Sequence, residues 1–378
     1  LFDPSRAKAI PSVVAVVQIP SGVAVVAKDF WSAKKGRDAL TVDWDETAAV
    51  KLSSADLVTQ YKQLAQTPGA VARKEGDAVA ALGKCAKRVD AEYVFPFLSH
   101  ASMEPLNCIV QLGKDGCEVW NGEQNQTGDQ FAISKVLGIP PDRVKLNQLL
   151  VGGSFGRRAN PMSDYVLEAV FVAKALSTGA TAGAPVKLLW TREDDMQGGY
   201  YRPMYVHRVT AGLDAQGKPL AWQQRIVGQS IVSGTAFEAM MKNGIDPTSV
   251  EGAANLPYAV PNLQVELHSP KPGIPIQWWR SVGSTHTAYS TECIVDELAG
   301  LVGKDPVAFR SDLLDKFPRH KGVLKLAAEK SGWGKPLAPG KPGERRGRGV
   351  AVHESFGSYV AQVAEVDGVE GAAEQPQR

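Results

Sequence analysis

Val151-Gly-Gly-Ser-Phe-Gly-Arg-Arg158 is the most informative stretch of this 378-residue chain. It follows a β-rich run, and its three glycines allow positive φ and a close approach of the main chain to a ligand. Consecutive amides in such a turn form a concavity that binds anions. Arg157 and Arg158 add fixed positive charge and paired donors that suit a phosphate. The stretch therefore predicts a loop that holds a phosphate-bearing cofactor, with a purely structural glycine turn as the alternative.

The same residues also satisfy the G-x-S-x-G pattern of serine hydrolases, in which Ser154 would be the nucleophile. That arrangement requires the turn to lead directly from a strand into a helix, with an acid and a histidine later in the chain. Acids and histidines do follow, but Pro161 interrupts any helix that starts at the turn. A serine hydrolase is therefore an alternative function.

The patterns on either side of the loop predict an α+β protein. Two β-branched runs flank Pro20-Ser21-Gly22 and indicate a hairpin inside a small unit that covers residues 1–52. A helix followed by an exposed linker is predicted for 53–76. Strand-like segments and helices then alternate over 77–366. The helices predicted in this part cover 128–137, 163–176 and 285–302.

The last part of the chain predicts a loop, a strand and a tail. Residues 335–348 are rich in proline, glycine and basic residues, which is typical of a loop. Tyr359 to Val366 has the composition of a strand. Residues 367–378 lack any apolar periodicity, so a disordered tail is expected there.

Composition excludes several function classes. Hydrophobic residues make up 44% and charged residues 22% of the chain, and the net charge is +2, so nucleic acid is not an expected partner. No apolar run reaches the ~18–20 residues that span a bilayer. The four cysteines form no C-x-x-C or zinc-type pattern, and free buried thiols are favoured over a disulfide between Cys108 and Cys117. Any iron–sulfur cluster would need another chain.

Three blocks of sequence carry a resemblance to a known family. They are His100-Ala-Ser-Met-Glu-Pro105, Gly152-Gly-Ser-Phe-Gly156 and Trp278-Trp-Arg-Ser-Val-Gly283. In this order and spacing they are similar to the molybdopterin-binding large subunit of the xanthine dehydrogenase/aldehyde oxidase family, nearest to the isoquinoline 1-oxidoreductase β-subunit branch. The resemblance implies part of an α/β hammerhead domain followed by a mixed α/β molybdenum-cofactor-binding domain. It also implies a fragment that lacks the family's C-terminal domain.

The resemblance implies roles for individual residues. Gln124 matches a glutamine whose amide donates to an oxo group on molybdenum, and Phe155 matches an aromatic residue beside the substrate pocket. Arg280 matches an arginine that orients substrate or stabilises developing negative charge. No side chain is implied as a metal ligand, because the pterin carries the molybdenum. Cofactor binding is implied for Gln124, Gly153, Ser154, Phe155, Gly156, Arg157 and Arg310.

The family also implies a reaction and its partners. It implies molybdopterin, in its cytosine dinucleotide form, with molybdenum, and iron–sulfur clusters on a small partner subunit. The implied reaction hydroxylates an aldehyde or an N-heterocycle with oxygen from water. Ala159 stands where xanthine-oxidising members have a glutamate, which argues against xanthine. The general-base glutamate lies in the C-terminal domain, so a truncated, cofactor-free scaffold is a further alternative.

Overall fold

The computed structural model describes residues 1–341 and 343–369, which form two larger β-sheets, three two-stranded sheets and helices packed on them. The strands are β1 (Phe2–Asp3), β2 (Val13–Ile19), β3 (Gly22–Ala27), β4 (Thr41–Val42), β5 (Ala70–Glu75), β6 (Lys87–Phe95), β7 (Asn107–Leu112), β8 (Cys117–Asn121), β9 (Val144–Gln148), β10 (Val186–Leu189), β11 (Tyr205–Leu213), β12 (Pro219–Gly228), β13 (Asn262–His268), β14 (Glu344–Ser355) and β15 (Ser358–Val369). The helices are α1 (Ser5–Lys8), α2 (Phe30–Asp38), α3 (Ser54–Leu64), α4 (Ala78–Leu82), α5 (Gln126–Leu137), α6 (Asp164–Ala175), α7 (Arg192–Gln197), α8 (Pro247–Val250), α9 (Ser284–Leu301), α10 (Pro306–Leu313) and α11 (Pro318–Lys330). Single 3-10 turns span Pro141–Arg143, Arg157–Ala159, Gly179–Thr181 and Glu238–Met240. The three helices predicted from the sequence are confirmed to within two residues at each end.

A five-stranded sheet with the order β5-β13-β12-β11-β6 forms the larger core. β12 and β13 are parallel and the other neighbours are antiparallel. Helix α9 packs on β6 and β11, because its fully buried Ile294, Val295 and Leu298 recur at helical spacing. Helix α3 covers the other face through Leu57 and Tyr61. The sheet is therefore buried on both sides, as its apolar strands require.

A four-stranded sheet with the order β10-β7-β8-β9 positions the candidate site. Helices α5 and α6 bury one face of it, around Val119 and Val170. β8 and β9 are parallel neighbours, so the segments that follow them leave from the same edge of the sheet. The amide of Leu149 donates to the carbonyl of Asn121 over 2.9 Å and joins these segments. The topology therefore brings Gln124, after β8, next to the glycine loop, after β9.

Within residues 1–52, called here the N-terminal unit, β2 pairs with β3 in a hairpin and β1 pairs with β4. Gly36 of α2 packs directly on Val25 of this hairpin. The unit contacts the four-stranded part through a hydrogen bond from the Ser21 hydroxyl to Glu168, 3.2 Å long. A second link is the ion pair between Arg37 and Asp194 at 2.7 Å.

The predicted linker over 53–76 is wrong in its second half. Ser53 and Asp56 form a reciprocal cap at the start of α3, as a helix there requires. Residues 70–75, however, are β5, an edge strand that pairs with β13. Arg73 holds this edge because its guanidinium donates to the carbonyls of Ala254 and Leu256. The strand is hard to recognise in the sequence because an edge strand is only partly buried and can therefore carry polar residues.

The chain end also differs from the prediction. The loop expected over 335–348 ends at Gly343, and the tail expected from 367 begins no earlier than residue 370. The two strands extend into these stretches because ion pairs join β14 to β15. These pairs are Arg346 with Asp367 and Arg348 with Glu365, both at 2.6 Å. Residues 370–378 of the predicted tail lie outside the described part.

Two further expectations concern cysteines and membranes. All four cysteines are free thiols, as expected, and Cys108 and Cys117 are buried. Among residues 1–341 and 343–369, no helix has both the length and the apolar character needed to cross a bilayer.

Candidate functional site

The glycine loop has an unusual main-chain conformation. Gly153, Phe155 and Gly156 all have positive φ, at 98°, 57° and 105°. Such a φ is strained for Phe155, because its Cβ approaches the neighbouring carbonyl. The amide of Arg280 donates to the Phe155 carbonyl over 2.8 Å and secures the strained residue. The Phe155 side chain is 37% exposed, so its ring is offered to a ligand.

Gln124 is held against this loop by its side-chain carbonyl. Oε1 accepts from the Ser154 hydroxyl over 2.6 Å and from the Gly156 amide over 3.1 Å. Because a main-chain N–H can only donate, the atom that faces Gly156 must be oxygen, and Nε2 points away from the loop. In the described part of the chain, no acceptor is bound to Nε2. Gln124 is therefore oriented as a free donor beside Phe155.

The loop also presents main-chain donors. Within the described residues, the amides of Gly153, Ser154 and Phe155 donate to no acceptor. Three such amides in a turn with positive φ form a concavity for an anion or a polar oxygen. The amide of Gly152 is excluded from it, because it donates to Glu104 over 2.6 Å.

The turn at 278–283 closes the site from the five-stranded part. Gln277 donates to the Gly156 carbonyl over 2.9 Å, and Asn160 donates to Gln277 over 2.9 Å. His100 donates from Nε2 to the Trp278 carbonyl over 3.0 Å, and burial lowers the pKa of His100 to about 4. His100 is thus a neutral scaffold residue. Gly156 lies so close to the Trp278 carbonyl that a Cβ would approach it to 2.7 Å.

Arg280, predicted to act on the substrate, and Arg157, predicted to bind the cofactor, lie in different environments. The Arg280 guanidinium is exposed and, among the described residues, has no partner, so it is available to a ligand. Arg157 is 2% exposed, pairs with both oxygens of Asp164 and lies over the rings of Trp190 and Tyr200. Its charge is already compensated inside the protein. The prediction that Arg157 binds a cofactor phosphate is therefore corrected to a scaffold role.

Arg158 and Arg310 are scaffold residues as well. Arg158 is buried beneath the loop, where it donates to Glu104 and to the Pro105 carbonyl. Arg310 is fully buried and joins α10 to α9 through Glu292 at 2.9 Å and through Asp296. The cofactor role predicted for Arg310 is wrong, because all of its guanidinium nitrogens bind groups within this helix pair.

The geometry does not support the serine hydrolase. The Ser154 hydroxyl donates to Gln124, and no histidine among the described residues contacts it. β9 ends at Gln148 and α6 begins at Asp164, so no helix follows the turn directly. The later acids and histidines are engaged elsewhere: Asp194 with Arg37, Asp195 with Arg192, His207 with His286, and His353 with Ser284.

Comparison with known proteins decides the family. Residues 63–313 match the molybdopterin cofactor-binding domain. This chain belongs to that family. The match begins before the boundary predicted at residue 77, in agreement with the place of β5 in the five-stranded sheet.

Individual relatives of this molybdopterin cofactor-binding domain include two oxidoreductases. The isoquinoline 1-oxidoreductase subunit beta of Brevundimonas diminuta is 28% identical over 96% of this chain and 47% of its own length. The membrane-bound aldehyde dehydrogenase [pyrroloquinoline-quinone] of Gluconacetobacter polyoxogenes is 31% identical over 84% of this chain and 43% of its own length. The chain thus spans about half the length of the curated relatives it matches.

The fold has solved counterparts. Quinoline 2-oxidoreductase from Pseudomonas putida 86 superposes with a TM-score of 0.70 at 18% identity, over 93% of this chain and 52% of that one. Aldehyde oxidoreductase from Desulfovibrio gigas superposes with a TM-score of 0.64 at 17% identity, over 93% and 44%. The mixed α/β architecture expected from the sequence is therefore confirmed.

The site of this molybdopterin cofactor-binding domain fits a pterin cofactor. The three free amides of the loop suit polar oxygens of the ligand, and the Gln124 amide offers a neutral donor beside them. The absence of side chains at Gly153 and Gly156 permits the positive φ of the loop, with the Phe155 ring packed on Gly153 and the Trp278 carbonyl against Gly156. Among the described residues no cluster of histidine, cysteine or carboxylates could hold a metal ion.

Sequence reasoning missed an acid pair beneath Gln124. Glu123 is 2% exposed, and the pKa values of Glu123 and of neighbouring Asp129 are each raised to about 7. For Glu123, burial and the charge of Asp129 outweigh the favourable contact with Asn121. The missed signal is a glutamate that directly precedes the site glutamine in the turn from β8 into α5.

Glu123→Gln is expected to stabilise the domain increasingly as the pH rises from about 4 to about 7, and fully at alkaline pH. Between pH about 4 and about 7 the folded wild type binds more protons than the unfolded chain, so its stability falls as the pH rises. The variant lacks the part of this loss that comes from Glu123. We expect its free energy of unfolding to exceed that of the wild type by on the order of 2 kcal/mol at pH 8, and to equal it near pH 4. Urea unfolding at both pH values measures it. The exposed control Glu329→Gln should show no such pH dependence, and an equal gain at pH 4 would contradict the titration.

Gly156→Ala is expected to distort the loop. Both its φ of 105° and the 2.7 Å approach to the Trp278 carbonyl oppose a side chain, and we expect a loss of about 2–3 kcal/mol. Gly138→Ala is the matched control, because Gly138 also has positive φ, at 70°, but has open space around it. It should lose only about 1 kcal/mol. Equal losses for the two variants in urea unfolding would mean that the contact with Trp278 has no energetic weight.

Proposed function

We propose that this chain is the cofactor-binding part of a molybdenum hydroxylase that oxidises an aldehyde or an N-heterocycle with oxygen from water. The observation that carries the proposal is the orientation of Gln124. Its carbonyl is fixed by Ser154 and Gly156, so its amide donors face outward beside the exposed ring of Phe155. A neutral donor next to an aromatic face would suit a polar oxygen of the cofactor and a planar substrate.

Each group of residues around the glycine loop has its own role in the proposed site. When bound, the molybdenum cofactor would supply two-electron redox chemistry, and the protein orients the groups around it. The amides of Gly153, Ser154 and Phe155 would hold polar oxygens of the pterin, and the Gln124 amide would donate beside them. Phe155 contacts the flat face of the substrate and excludes water. Arg280 brings a mobile positive charge to the rim, where it attracts substrate or stabilises negative charge.

The proposed substrate class rests on apolar surroundings. Trp278, with Phe237 edge-on at 5.6 Å, makes the neighbourhood of Phe155 aromatic, and Ala159 offers no polar contact to a purine. The relatives are named for isoquinoline and for aldehyde oxidation, which fits this preference. We further propose that the cofactor is the cytosine dinucleotide form, and that a small subunit with iron–sulfur clusters accepts the electrons.

Cofactor analysis of the purified protein tests the proposal. We expect about one molybdenum per chain by mass spectrometry, together with a pterin that gives its oxidised fluorescent product and releases CMP on hydrolysis. Because one relative is named for pyrroloquinoline quinone, the same extract is examined for that quinone. Quinone without molybdenum would refute the proposed cofactor. Protein that folds but binds neither group after reconstitution would support the cofactor-free scaffold instead.

A further inference from the structure

The turn at 278–283, which closes the site beside the glycine loop, has a strained main chain. Ser281 and Val282 both have positive φ, at 71° and 48°. This conformation is uncommon for any residue with a side chain, and a β-branched residue such as Val282 tolerates it least. Strained segments persist only where surrounding contacts fix them, and they cluster at functional sites. Contacts from outside the turn must therefore hold it in this form.

The turn is also the segment that supports the glycine loop. The Val282 amide donates to the Trp279 carbonyl over 2.8 Å, a bond inside the turn that shapes it without attaching it to another segment. The Arg280 amide, in contrast, donates to the Phe155 carbonyl over 2.8 Å. Phe155 is itself strained, with a φ of 57°. This bond therefore joins two strained segments, and the pair needs an anchor elsewhere.

Glu251 provides a charged acceptor directly after the strained residues. Its Oε1 accepts from the Gly283 amide over 2.8 Å. Burial raises the pKa of Glu251, and the amides of Gly283 and Ser284 offset part of that rise, so both amides act on the carboxylate. They lie at the start of α9, where the first main-chain amides have no acceptor inside the helix. Glu251 thus binds the junction between the turn and α9.

The main chain that carries Glu251 is itself fixed. The Glu251 carbonyl accepts from the Thr287 hydroxyl on α9 over 2.7 Å. Gly283 packs so closely on the Thr248 carbonyl that a Cβ would approach it to 2.1 Å. Val250, between these two contacts, is buried. A carboxylate on such a segment has little freedom to follow the turn if the turn relaxes.

We propose that Glu251 is a positioning residue: by holding the Gly283 amide, it keeps the strained turn in the form in which the Arg280 amide donates to the Phe155 carbonyl. Within the described residues, Glu251 forms no hydrogen bond with the glycine loop, so it acts through the turn. Its consequence for catalysis rests on the proposed function, in which Phe155 and Arg280 contact the substrate.

Hydrogen exchange of the 378-residue chain, resolved to single amides by mass spectrometry, tests this role without any cofactor. In Glu251→Ala we expect the Arg280 amide to exchange at least about tenfold faster, because the turn loses a hydrogen bond to a charged acceptor. Glu251→Gln keeps an oxygen for the Gly283 amide, and its Arg280 amide should exchange as in the wild type. Glu329→Ala, at an exposed glutamate of α11, is the matched control and should change nothing at Arg280.

A second substitution, Val282→Gly, tests the strain itself. Glycine adopts positive φ without the steric cost that valine bears. Glu251→Ala combined with Val282→Gly should therefore recover most of the protection of the Arg280 amide. A role of Glu251 that is confined to capping α9 would not be rescued in this way. If Glu251→Ala alone does not fold, a folded double variant supports the proposal, and a double variant that also fails to fold overturns it.

Three exchange results would overturn the proposal: an unchanged Arg280 amide in Glu251→Ala, an equal acceleration in β11 and β12, or no recovery in the double variant. In the cofactor-loaded enzyme, kcat of Glu251→Ala should fall about 10- to 100-fold, while Glu251→Gln stays near the wild type. An unchanged kcat in Glu251→Ala would also overturn the positioning role. Absence of molybdenum from the purified wild type would instead contradict the proposed function and leave the exchange test valid.

Discussion

Gln124→Ala is expected to lower kcat of the cofactor-loaded enzyme by about 100- to 1,000-fold, the usual cost of removing one aligned donor from a site of developing charge. Its effect on stability should be small, because the side chain is exposed and its two partners, Ser154 and Gly156, can bind water instead. We expect a loss of about 1 kcal/mol or less. Steady-state kinetics and urea unfolding of the same preparation measure the two effects.

Gln124→Glu separates the donor role from the positioning of the loop. A glutamate keeps an oxygen for the Ser154 hydroxyl and the Gly156 amide, but it lacks the outward N–H groups. We therefore expect activity as low as that of Gln124→Ala. Gln111→Ala, on β7 and away from the loop, serves as the control with full activity. Activity retained in Gln124→Glu but lost in Gln124→Ala would show that Gln124 only supports the loop.

Arg310→Met is expected to cause the largest loss of stability, about 3–5 kcal/mol. The substitution leaves Glu292 buried without its cation, although Tyr258 and the Val352 amide still donate to it. Urea unfolding at pH 7.5 measures the loss. Because Arg310 lies between α9 and α10, molybdenum and pterin content per folded chain should stay unchanged.

A second substitution tests the cause of that loss. Glu292→Gln combined with Arg310→Met removes the buried charge while keeping an acceptor for Tyr258, and should recover much of the stability. Arg143→Met, at an exposed arginine, should have little effect. A selective loss of pterin from folded Arg310→Met protein would show that Arg310 contributes to cofactor binding. No recovery in the double variant would mean that the cost comes from packing rather than from charge.

The sequence predicts the special main chain of the glycine loop, because that conformation depends on short-range chemistry. Three glycines around Phe155 require a special main chain, and Gln124 follows a strand that lies parallel to the one before the loop. The end of the helix predicted over 128–137, at Gly138, follows from an equally local rule.

Other features depend on partners that the sequence does not place. Arg157 and Arg280 look alike as cations near glycine, and only the fold shows that one meets Asp164 while the other meets solvent. β5 has the composition of a linker, and pairing with β13 makes it a strand. The pKa of Glu123 is raised by burial and by the charge of Asp129, and this burial follows from the packing of the fold rather than from the position of Glu123 in the sequence.

The contact between Gly156 and position 278 has a consequence for how catalytic scope can diversify. Gly156 and His100 both contact the main-chain carbonyl of Trp278. Gln277 donates to the main-chain carbonyl of Gly156. None of these contacts requires the indole ring, so the local structure depends little on which side chain residue 278 carries. Replacements at 278 could thus reshape the wall that faces incoming molecules while the neighbouring turn keeps its form. A library restricted to this one codon is an economical route to enzymes with altered selectivity.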